Sequence, residues 1–94
     1  MKTTRTKSSG NVFKDLGFPK FEAENLKMRS QLMLQIEKYI AEHELTQSEA
    51  AEVFDVDQPR ISKLLNGRIE LFTIDKLLEM LAKVDVTFEL KAVA

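Results

Sequence analysis

Between Leu45 and Gly67 the chain leaves room for little besides two short helices joined by a tight turn. Thr46 followed three residues later by Glu49 is a capping box. Each side chain satisfies a backbone N–H that the first helical turn would leave without a partner, so a helix starts at about Gln47. Leu45 and Ala50 stand where a weak hydrophobic staple closes that start. Asp57 can cap a second helix, and Pro59 is tolerated just behind it because the first turn has no hydrogen bond to lose there. Only a few residues separate the two helices, which suits a tight turn better than a loose helical hairpin.

The rest of the composition narrows the class. Ninety-four residues make one domain with a modest core. There are no cysteines, which excludes disulfides and thiolate metal sites and suits a reducing, cytoplasmic location. The single histidine, His43, excludes a multi-histidine metal cluster. Apolar runs are too short to span a bilayer, and the basic N-terminus lacks the apolar stretch of a secretion signal. No nucleophile–base pair, metal cluster or phosphate loop is visible, so the chain is expected to be neither an enzyme nor a cofactor carrier.

A net charge of −1 is uninformative until it is mapped. Residues 1–30 hold seven Lys/Arg against three Asp/Glu, whereas residues 44–75 hold three Lys/Arg against seven Asp/Glu. Within the second block Glu49, Glu52 and Asp55 fall on or just after the first short helix. Arg60, Lys63 and Arg68 fall on or just beyond the second, which is therefore the face suited to phosphate.

Along the chain, residues 1–20 divide into a Thr/Ser/Lys-rich arm and a short segment in which Val12, Phe13, Leu16 and Phe18 are expected to dock on the domain. A long helix is predicted from about Phe21 to Glu42, with Leu26, Leu32, Met33, Ile36 and Ile40 on one stripe. After the two short helices Gly67 supplies a stop. Thr73 caps a further helix through about Lys83, with Ile74, Leu77, Leu78 and Leu81 as its apolar face and Phe72 stapled to Leu77. Val53, Phe54, Val56, Ile61, Leu64 and Leu65 read as core, and Ala51 as the small residue at the close approach of the two short helices. Residues 21–83 thus form the domain. Residues 84–94 alternate Val84, Val86, Phe88 and Leu90, a strand pattern. A lone strand needs a partner: a second copy, another protein or the N-terminal segment.

The pattern Gln47-x-x-x-Ala51, Asp55 at the turn, then Gln58-Pro59-Arg60-Ile61-Ser62-x-Leu64-Leu65-Asn66-Gly67 resembles the Xre/Cro family of phage-repressor-type helix-turn-helix regulators. The lead-in of residues 11–19, the Glu24-Asn25-Leu26 helix start and Ile69-Glu70-Leu71-Phe72 resemble its HigA-like antitoxin branch. Many members place Gly where this chain has Asp55. The resemblance implies an all-α, lambda-repressor-like bundle of four to five helices, here with one C-terminal β-strand. It also implies a homodimeric repressor on a palindromic operator in double-stranded DNA, and an adjacent toxin, typically a small ribonuclease of the RelE/HigB kind, that the protein neutralises.

In that architecture the second short helix enters the major groove. Gln58 and Arg60 open it; Gln can pair with adenine and Arg with guanine, and Arg60 is the leading candidate for base reading. Pro59 offers an apolar surface to a thymine methyl, although capping geometry alone accounts for it. Gln47 suits a phosphate at the start of the first short helix. Ser62 and Lys63 lead toward the backbone, with Asn66 and Arg68 able to clamp phosphates beyond the helix end; for Lys63 and Arg68 the plain alternative is a solvated cation. Lys2, Arg5 and Lys7 suit a minor groove, an acidic partner or simply solvent. Val84, Val86, Phe88 and Leu90 are the expected dimer interface. Two other readings stay open: a stand-alone prophage-type repressor without a toxin, and a helix-turn-helix module that binds protein instead of DNA.

Overall fold

A computed structural model describes residues 11–93. Its helices are α1 (Val12–Asp15), α2 (Lys20–Glu42), α3 (Gln47–Phe54), α4 (Gln58–Leu65) and α5 (Ile74–Ala82), with a 3₁₀ turn at Ile69–Leu71 between α4 and α5. The basic arm with Lys2, Arg5 and Lys7 lies outside the described residues.

Four of the five helix starts carry a local side-chain cap, and α2 alone begins behind Pro19 without one. Thr46 and Glu49 form the reciprocal capping box of α3, the Asp57 carboxylate accepts from the Arg60 N–H at 2.9 Å, and the Thr73 hydroxyl accepts from the Lys76 N–H at 3.1 Å. Each such cap is worth about 1 kcal/mol. Asn11 caps α1 by accepting from the N–H groups of Phe13 and Lys14. Its amide also donates to the Ala23 carbonyl at 3.1 Å and the Glu24 carboxylate at 2.9 Å, which fastens α1 to α2.

The helix ends share one device. At Glu44, Asp55, Gly67 and Asp85 the chain turns left-handed, with φ of 51°, 59°, 74° and 60°. In each case the next residue's N–H bonds to the carbonyl five residues back: Leu45 to Ile40, Val56 to Ala51, Arg68 to Lys63, and Val86 to Leu81. These are Schellman caps, which satisfy the carbonyls that a helix end leaves free. Leu45, Val56 and Val86, the apolar residues following three of these positions, pack against the core.

That device removes the expected C-terminal strand. Asp85 and Val86 close the end of α5, so Val84 and Val86 both lean on the core, and the alternation is broken by a left-handed residue. Among the described residues no strand is formed, and the fold is all-helical.

The core joins Leu32, Met33, Ile36 and Ile40 of α2 to Ala50, Ala51 and Phe54 of α3, Ile61 and Leu64 of α4, Phe72, and Leu77, Met80 and Leu81 of α5. Burying each large member contributes about 1.5–3 kcal/mol. Three expectations are corrected here. Leu65 and Leu78 are partly exposed, at 37% and 42%, because they lie at the flank of their helices' apolar stripes, and Met80 takes the interior place expected of Leu78. Leu26 is only half-buried, while Ala23 is buried where α1 docks. His43 ends α2 with its ring stacked on Tyr39, centroids 3.9 Å apart, and Tyr39 meets Phe54 edge-on.

Candidate nucleic-acid interface

The site is built on α3 and α4. Ile61 and Leu64, both fully buried, fix the inward face of α4. With 3.6 residues per turn, the positions opposite them are Pro59, Ser62, Lys63 and Asn66. Pro59, Lys63 and Asn66 are exposed and Ser62 is half-buried, so the outward stripe presents a rigid apolar ring, a hydroxyl, an ammonium and an amide. Gln58 is exposed beside this stripe on the first turn. Gln47 is the first residue of α3, exposed, at a helix start whose N–H groups can meet a phosphate.

Arg60 sits differently from its neighbours. It is half-buried, and its guanidinium carbon lies 5.6 Å from the centroid of the Phe72 ring. The planar cation is therefore laid over an aromatic face on the flank of α4 nearest the 3₁₀ turn. Arg60, Lys63, Pro59 and Asp57 border a small cleft of about 160 Å³ whose other wall is Leu71 and Phe72. Leu71 is 41% exposed there.

The 3₁₀ turn is held by a residue that the sequence did not flag. Arg29 of α2 accepts its orientation from Asn25, to which its Nε donates at 2.6 Å, and its Nη1 donates to the Ile69 carbonyl at 3.3 Å. A contact spanning 40 positions has no local signature. Phe72 is legible in the sequence as the staple to Leu77, but its position beneath Arg60 is not.

The electrostatics are more restrained than the sequence suggests. Arg68 is exposed, yet its Nε donates to the Glu70 carboxylate at 2.6 Å. That hydrogen bond holds the Glu70 carboxyl below its ordinary range. Arg68 thus arrives with its own counter-charge. Asp55, at the turn, pairs with Lys83 at 3.6 Å. Both pairs are solvent-exposed and contribute little to stability. The interface keeps Arg60 and Lys63 as the cations facing the cleft.

The four residues expected at a dimer interface are not brought together. Val84 and Val86 are half-buried on the core, whereas Phe88 and Leu90 are exposed, at 41% and 85%, over a groove between α2 and α5. Among the described residues no group of acidic or histidine side chains is arranged to hold a metal ion, and no helix is long and apolar enough to cross a membrane. The family profile described as helix-turn-helix domain matches residues 12–93. Comparison with curated proteins found no match.

Proposed function

The chain belongs to the helix-turn-helix domain family, and on that premise we propose that it is a sequence-specific DNA-binding transcriptional repressor that inserts α4 into the major groove. The observation that carries this reading is the division of α4 between a fully buried pair, Ile61 and Leu64, and an outward stripe of Pro59, Ser62, Lys63 and Asn66. An outward polar stripe on a short, rigidly capped second helix is what base-edge reading requires. In this proposal Gln58, Arg60 and Lys63 meet base edges or the adjacent backbone, Pro59 meets a thymine methyl, and Gln47, Ser62, Asn66 and Arg68 meet phosphates.

The scarcity of uncompensated cations favours a homodimer. Two copies on a palindromic operator, with α4 helices about 34 Å apart, combine two weak half-site contacts into one useful affinity. The resemblance to HigA-like antitoxins supports a narrower role, in which the protein represses its own operon and neutralises a RelE/HigB-like toxin. No catalytic step and no cofactor belong to this proposal.

Fluorescence anisotropy on duplexes selected from a random pool tests it. Affinity should fall steeply as salt rises, because each neutralised phosphate releases a counterion. A second reading, a protein-binding module, is favoured by acidic α3 and by the Arg68–Glu70 pairing. It predicts no selected duplex and no salt-dependent binding. Co-purification of the neighbouring gene product would separate the antitoxin from a stand-alone prophage-type repressor.

A further inference from the structure

α2 and α5 leave between them an apolar groove of about 510 Å³, lined by Met28, Leu34, Ile74 and Leu78, with Phe88 and Leu90 of the C-terminal segment at its edge. Leu34 is 59% exposed and Leu78 42% exposed, although both sit mid-helix. We infer that this groove is the surface on which a second copy of the chain docks, each copy offering Phe88 and Leu90 beside its own groove.

Three observations select a second copy as the occupant. The groove and the projecting apolar residues lie side by side on one chain, which is what a self-complementary, twofold interface needs. The lining is nearly uncharged: its polar members are Gln31 and Gln35, and Glu89 is the single ionised one. Two identical copies therefore bring only one carboxylate each, Glu89, to an otherwise apolar and amide-lined contact. Residues 1–10 carry one apolar side chain, Met1, so they lack the means to fill the groove from within.

The placement also suits the work of the domain. No lining residue belongs to α3 or α4, so the DNA-reading face stays free while the groove is filled. This deepens the dimeric reading above. It replaces strand pairing by a helix-and-tail contact, because Val84 and Val86 are already taken up by the core.

Sedimentation equilibrium of the full chain over a concentration series provides the test, with Leu34→Glu and Leu78→Glu as variants and far-UV circular dichroism melting as the control for folding. Both positions are exposed enough for the fold to accept a carboxylate, so a variant lost to misfolding leaves the other to decide. Wild type should be dimeric, and a folded variant should dimerise on the order of 100-fold more weakly, since a buried unpaired carboxylate is strongly unfavourable. Dimers that survive both substitutions would overturn the assigned surface while leaving the dimer itself standing. A monomeric wild type at all concentrations would overturn both. DNA reading is judged separately: a monomeric variant should still bind a single half-site in a salt-dependent way, and loss of binding by wild type would remove the DNA proposal without touching the groove.

Discussion

The guanidinium of Arg60 lies over the ring of Phe72, with 5.6 Å between the guanidinium carbon and the ring centroid. Phe72 is itself 1% exposed and belongs to the core, so the orientation of an interface cation is set by a residue of the interior. A stacked arginine loses less freedom on meeting DNA than a solvated one.

Arg60→Ala should therefore cost about 1–3 kcal/mol of duplex binding and relax the base preference at one position. Arg60→Lys keeps the charge but loses the planar stack, so it should recover the salt dependence and not the preference. Binding measured against duplexes varied one base pair at a time checks both. Unchanged selectivity in the Ala variant would remove Arg60 from base reading.

Glu70 restrains Arg68. Glu70→Gln should strengthen DNA binding and make the slope of log affinity against log salt steeper by about one, whereas Arg68→Gln should flatten it. The pairing has a pH signature. A carboxyl lowered in the folded state adds stability that is present above its ordinary pKa and is lost as pH falls through the lowered folded value. In an NMR titration the Glu70 carboxyl should move upward in the Arg68→Gln variant. No movement would show that Arg68 is not the cause.

Glu44, Asp55 and Asp85 adopt positive φ without being glycine. Glu44→Gly and Asp85→Gly should each stabilise the fold by about 0.5–1 kcal/mol, because the left-handed conformation costs glycine nothing. Asp55→Gly should gain less, since it also removes the exposed contact with Lys83. Conversely, Gly67→Ala should destabilise by about 1 kcal/mol through its φ of 74°, although a Cβ there meets nothing within 4 Å. Urea denaturation of the four variants tests these signs.

Asn11 is 2% exposed and joins α1 to α2 through four hydrogen bonds. Asn11→Ala should cost about 1–3 kcal/mol, because the cap and the partners of the Ala23 carbonyl go together. Asn11→Asp should cost more, since it places a second carboxylate against Glu24. Hydrogen exchange of α1 amides should accelerate in both variants. Protection equal to that of wild type would show that Asn11 does not hold the element.

Much of the helix-turn-helix was legible because its signals are short-range. Thr46 with Glu49, Asp57 before Arg60, and Thr73 before Lys76 each act across three residues, and the structure contains all of them. The terminal segment differs from the strand its sequence predicts because Val84, Val86, Phe88 and Leu90 satisfy an alternation that a helix cap overrides. A clue was present: an acidic residue followed by an apolar one recurs at Glu44-Leu45, Asp55-Val56 and Asp85-Val86, and all three are left-handed stops. Leu65 and Leu78 depart from the interior places their spacing predicts for a related reason, since periodicity marks a stripe but not how wide a stripe its neighbours will cover.

By itself, then, the sequence determined where helices begin and end around the motif, because caps close within one turn and need no distant partner. Tertiary structure alone decided which side chains meet. It laid Arg60 on Phe72, tied Arg29 to Ile69, folded Val86 onto the core and left Leu34 and Leu78 bare over a groove. Those outcomes depend on how α2, α4 and α5 pack against one another. Packing is settled by shape and burial across the whole domain, which no window of neighbouring residues contains.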